Sequence, residues 1–220
     1  AINDCWKAVY HNLGRNEARP LDDDRFLLTH YLIYFGNTDA GAAVVDGPFR
    51  YRRMARADYV NDLLERRFIP RNVAADAPAE SRVALTDVYR YVSSLQEAIE
   101  TWYKMHNPLE SDFGANTQVW LDKLNRLGMD EFHPLILAYI QRETTEGKRV
   151  AFLQAIERHL FVLSLGSYYY RGYYSEDMLD PRTVVMAVET ANGKLGSDKV
   201  IRAIQEATQA LLGRSDFLRD

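Results

Sequence analysis

Between Asp130 and Gly166 the chain reads DEFHPLILAYIQRETTEGKRVAFLQAIERHLFVLSLG, and no other stretch limits the possible folds as strongly. In its first half Phe132, Leu135, Ile136, Leu137, Tyr139 and Ile140 leave almost no polar face, so a helix here has to be covered on most sides. Asp130 supplies an anion or cap at the start, and Pro134 sits early, where its missing N–H costs little. Gly147 lies in a polar turn. The second half then places Leu153, Ile156, Leu160 and Leu163 at helical spacing, with Gln154, Glu157 and Arg158 on the other side. The spacing predicts a buried helical hairpin.

Elsewhere the same periodicity recurs. Asn3-Asp4 opens a helix carrying Trp6, Val9, Tyr10 and Leu13, and Gly14 closes it. Asp22, Asp23 and Asp24 open a second, with Phe26, Leu27, His30, Tyr31, Ile33 and Tyr34 as an aromatic stripe. Residues 37–49 read as a loop. Asp58 is placed to start a helix with Val60, Leu63, Leu64 and Phe68 inward, followed by irregular chain from Asn72 to Glu80. From Ser81 to His106 runs the longest periodic segment, with Val88, Val92, Leu95, Ile99 and Trp102 as its seam; it spans roughly 39 Å at the rise of an α-helix. Shorter helices are predicted at Asn116–Leu127 (Val119, Trp120, Leu124, Leu127), after Asp180-Pro181 (Val184, Val185, Val188), and from Ser197-Asp198 (Val200, Ile201, Ile204, Leu211, Leu212). Strand alternation is nowhere convincing. The expected fold is all-α: one domain over residues 1–220, an orthogonal bundle of about eight to ten helices around the central apolar hairpin.

The chain has 220 residues, enough to bury a substantial core. Its net charge of −4 argues against a surface generally coated with nucleic acid, while leaving room for a local basic face. A single cysteine, Cys5, excludes an internal disulfide framework and suits a reducing cytoplasm. No apolar run reaches the roughly 18 residues of a membrane span. The start at Ala-Ile-Asn and the stop at Phe217-Leu218-Arg219-Asp220 suggest a fragment of a longer protein.

Motifs for chemistry are sparse. His11, His30, His106, His133 and His159 form no i, i+4 pair and no Cys/His cluster, and no nucleophile elbow, P-loop or dinucleotide fingerprint occurs. His30 and His159 lie by apolar stripes and read as hydrogen-bonded core histidines. The acids Asp22–Asp24 read first as a helix start; the sharper reading joins them to His30 as the metal site of a stand-alone enzyme. Arg50, Arg52, Arg53, Arg56, Arg66 and Arg67 form a basic cluster with Tyr51 and Met54 interleaved. Those arginines either neutralise phosphates of duplex DNA or pair with neighbouring acids. Tyr168, Tyr169, Tyr170, Tyr173 and Tyr174, with Arg171 among them, suit a half-wet interdomain interface better than base stacking. No cofactor site is expected.

A resemblance covers most of the chain. Ile2-Asn3-Asp4-Cys5-Trp6-Lys7 with Leu13, then Leu21-Asp22-Asp23-Asp24-Arg25-Phe26-Leu27, then His30-Tyr31-Leu32-Ile33-Tyr34-Phe35, resemble the helical middle region of GmrSD-type proteins. Phe132-His133-Pro134-Leu135-Ile136-Leu137-Ala138 and Ala155-Ile156-Glu157-Arg158-His159-Leu160-Phe161-Val162 fit that region in the same order. The resemblance implies a bacterial phage-defence or modification-dependent restriction protein. Its parent would be a nucleotide-dependent DNA endonuclease, with a ParB-like domain before this region and an HNH-type nuclease domain after it. Neither the D-G-Q-Q-R motif of the first nor the histidine motif of the second occurs here, so no catalytic residue is carried over. The implied role is a non-catalytic scaffold that couples the neighbouring domains and presents a basic face to DNA. An autonomous DNA-binding module is the alternative.

Overall fold

The computed structural model describes residues 2–15, 21–36, 59–73, 76–79, 82–170 and 181–213. Among them every regular element is helical, and no strand occurs, as the periodicity predicts. The expected loop at 37–49, the basic stretch at 50–56 and the helix starts at Asp58 and Asp180 lie outside the described residues. No helix among the described residues is long and apolar enough to cross a membrane. Read from sequence as one domain, the chain packs as two compact units, Ala1–Tyr103 and Lys104–Asp220.

The amino-terminal unit contains α1 (Ile2–Gly14) and α2 (Asp23–Phe35). A π-helical segment follows at Asn61–Arg67, then the single turn α3 (Pro70–Val73) and most of α4 (Leu85–His106). In α1, Val9 and Leu13 are buried as their spacing predicts, but the third inward position is Cys5 rather than Trp6. Cys5 Sγ donates to the Val92 carbonyl at 3.1 Å, a close approach of α1 to α4 that suits a thiol and not an indole. Trp6 and Tyr10 face outward, 36% and 60% exposed, with ring centroids 6.1 Å apart.

The helix expected after Asp58 forms with wider turns. Phe68 N–H bonds the Leu63 carbonyl at 2.8 Å, five residues back. Asp62 and Arg67, also five apart, would be separated by roughly 140° around an α-helix; the π turn lets them pair. Asn72, buried, ends the segment by donating its side-chain amide to the Arg66 and Arg67 carbonyls. Helix α4 starts at Leu85, later than Ser81, where Asp87 accepts from the Ala84 N–H at 3.3 Å. At 22 residues it is about 33 Å long. Its deepest seam is Tyr91, Leu95, Ala98, Ile99 and Trp102, with Val88 and Val92 at the edge.

The carboxy-terminal unit contains a 3-10 turn at Pro108–Glu110, α5 (Ala115–Leu127) and a second 3-10 turn at Asp130–Phe132. Then come α6 (His133–Arg142), α7 (Glu146–Tyr170), α8 (Pro181–Ala191) and α9 (Ser197–Leu212). Every residue from His133 to Ile140 is buried, as the near-absence of a polar face in α6 requires. Fully buried Leu, Ile and Phe side chains contribute roughly 1.5–3 kcal/mol each, so α6 anchors this core. The hairpin arms meet where the Tyr139 and Phe152 rings stack at 3.8 Å. Each arm nevertheless packs mainly on another helix, α6 on α8 and α7 on α9 and α5.

Three local expectations change. The turn of the hairpin is Glu143–Thr145, and Gly147 lies inside the first turn of α7. Helix α5 buries Thr117, Leu121 and Leu124, a face at i, i+4, i+7, and leaves Val119 and Leu127 exposed. The residue before α9 is Gly196, while Ser197 Oγ donates at 2.6 Å to Glu143 Oε2 on the hairpin turn.

Candidate functional site

The triplet Asp22–Asp24 does what its position at a helix start predicts. Asp22 is the N-cap of α2, accepting the Arg25 N–H at 3.1 Å. Asp23 Oδ1 accepts the Asp24 N–H at 2.9 Å, and Asp24 Oδ1 accepts the Tyr59 hydroxyl at 2.8 Å. One oxygen from each carboxylate lies within 4.8 Å of the others. The fold therefore brings the three acids together, but each already serves a hydrogen bond. His30 does not join them: it lies six residues further along α2, about 9 Å in axial rise.

Of the six arginines, Arg66 and Arg67 are described, while Arg50, Arg52, Arg53 and Arg56 lie outside the described residues. Asp62 is the centre to which both turn. Arg67 Nε bonds Asp62 Oδ2, the Tyr31 hydroxyl donates to the same oxygen at 2.6 Å, and Arg66 Nη1 stands 4.0 Å from Oδ1. Partial burial would raise the Asp62 carboxyl. The Tyr31 and Arg67 hydrogen bonds and the two guanidinium charges outweigh it and hold the carboxyl below its ordinary range. Burial, helped by Asp62, pushes the Tyr31 phenol up. Arg67 also lies over the Phe35 ring at 4.5 Å. Its charge is committed to the fold, whereas the Arg66 side chain is 77% exposed.

Of the two histidines read as core groups, His30 lies in the core and His159 is half-buried. His30 is buried with Nε2 3.0 Å from Ser94 Oγ, and burial lowers its pKa to about 3. His159 Nδ1 lies 2.9 Å from Thr208 Oγ1. His106, beside Asn107, packs its ring 5.0 Å from that of His133, whose Nε2 is 3.8 Å from Asp130 Oδ1. Tyr168, Tyr169 and Tyr170 close α7, but their side chains, like Arg171, Tyr173 and Tyr174, lie outside the described residues.

No protein-family model, curated protein or solved structure matches this chain.

Four polar residues that matter in this unit escape a sequence reading: Tyr59, Asn72, Tyr91 and Ser94. Tyr91 leaves a signal, because positions 91, 95, 98 and 102 make as regular a seam as 88, 92, 95 and 99. Asn72 and Ser94 leave none. Each acts through a partner that only folding brings near.

Proposed function

We propose that the chain is a non-catalytic helical scaffold, coupling neighbouring domains of a DNA-cleaving defence protein of the GmrSD type. The ordered sequence resemblance supplies the family. The observation that carries the scaffold role is how the chemically capable groups are used. Asp22, Asp24, Asp62, His30 and Arg67 each direct polar atoms to a helix end or a neighbouring side chain of their own unit. Groups held this way brace helices. The test is turnover by the purified chain, given plasmid DNA, nucleoside triphosphates and magnesium. Neither cleavage nor hydrolysis is expected, and turnover abolished by one point substitution would refute the reading.

A second reading, direct binding of duplex DNA, is favoured by one observation. Arg66 presents an exposed guanidinium, and Arg71 is exposed just beyond it. With Arg50, Arg52, Arg53 and Arg56 these charges would contact phosphates, giving affinity that falls steeply with salt and little with sequence. Absent or salt-independent binding removes this reading.

A further inference from the structure

His30 sits in α2 with its imidazole buried, only 4% exposed. The Ser94 hydroxyl donates its one proton to the Tyr91 carbonyl, at 2.8 Å. It therefore meets His30 Nε2 as an acceptor, at 3.0 Å, and the ring is the neutral Nε2–H tautomer. Nδ1 is left as a lone pair, buried and without a hydrogen-bond partner among the described residues.

Among the described residues the surroundings offer no countercharge. On α2 the ring faces Phe26 at 6.3 Å and Tyr34 at 5.7 Å; on α4 it faces Ser94 and the Tyr91 ring, at 5.1 Å. Both tyrosines are neutral phenols whose ionisation burial pushes further up. Charged groups act one layer out. Asp87 and Arg90 influence Tyr34, and Asp62 of the π-helical segment bonds Tyr31. From α1 the Cys5 thiol acts on Tyr91 and is itself pushed up by burial. His133 is equally buried but has the Asp130 carboxylate at 3.8 Å.

We propose that His30 is an acid-sensitive latch between α2 and α4, which loosens the amino-terminal unit when the ring takes up a proton. A proton on Nδ1 places a positive charge among Phe26, Tyr34 and Tyr91, with no carboxylate bonded to it among the described residues. An opened unit gives the same proton full hydration. Protonation thus favours the open form, from the ordinary histidine range downward.

The test uses the whole chain and amide hydrogen exchange, read as protection factors corrected for intrinsic exchange. For amides of α2 and α4 the opening constant should rise about tenfold between pH 7.5 and 5.5. That rise should vanish in His30→Gln, which carries no titratable ring. Carboxylates contribute only below this window. As a measurement independent of any variant, nitrogen chemical shifts of the wild-type ring should report the neutral Nε2–H form at pH 5.5 while α2 stays protected. Unchanged protection across the window, an equal rise in His30→Gln, or a ring titrating near its ordinary pKa with α2 still protected would each overturn the proposal.

Discussion

Glu146 caps a helix that begins 31 residues before it: its carboxylate accepts the Thr117 N–H at 3.0 Å and the Thr117 hydroxyl at 2.9 Å. Glu146 thereby serves the open N-terminus of α5 from the first turn of α7, tying two helices of the carboxy-terminal core by their ends. Gly114 makes room for it. A Cβ at Gly114 would stand 2.1 Å from Glu146 Oε2.

This geometry predicts that Gly114→Ala and Glu146→Ala remove one and the same interaction. Each should cost about 1 kcal/mol of unfolding free energy, the typical loss for a missing N-cap. The double variant should cost no more than the larger single one. Urea titrations of the four proteins measure it, and simple additivity would show that Gly114 and Glu146 act separately.

Glu143 carries a different pH signature. Burial would raise its carboxyl, but Ser197 and Thr145 donate to it and Lys148 lies 4.0 Å away, holding its pKa at about 2. The folded value lies below the unfolded value of 4.5, so this stabilisation is complete above about pH 4.5 and is lost as pH falls towards 2. Glu143→Gln should cost roughly 1.5–3 kcal/mol at pH 7, the range for hydrogen bonds to a charged group. The gap between wild type and variant should narrow in urea melts at pH 3; a constant gap would contradict the assignment.

Arg66 and Arg67 are neighbours in sequence with opposite expected phenotypes. Arg67→Ala strips Asp62 of its closest charge partner and should lower stability by about 1–3 kcal/mol. Arg66→Ala should stay within about 0.5 kcal/mol of wild type, as an exposed pair at 4.0 Å contributes little. If the chain holds DNA, Arg66→Ala should weaken it without touching the melting temperature and reduce the salt slope by about one.

At the start of α2, Asp22→Ala should cost about 1 kcal/mol and Asp22→Asn much less, because asparagine caps as well as aspartate. Neither wild type nor Asp22→Asn should gain melting temperature on addition of manganese. A manganese-dependent gain in wild type, lost in Asp22→Asn, would reveal an ion site among Asp22, Asp23 and Asp24.

Local pattern alone determined that every regular element among the described residues is helical, that α6 is buried on nearly every side, and that Asp22 starts α2. Periodicity, caps and the density of apolar residues are properties of neighbouring positions, and a helix expresses them wherever it is packed. Which flank of an amphipathic helix lies deepest was settled by what it met. The close approach of α4 put Cys5 inward and Trp6 outward, and α5 turned Leu121 in and Val119 out. The partnerships of Asp62 with Tyr31, Glu146 with Thr117, Glu143 with Ser197 and His30 with Ser94 join residues 29 to 64 positions apart. A carboxylate or imidazole carries no local mark of its partner. Only the tertiary structure, by burying the group and forcing its hydrogen bonds to be met, decided those pairs.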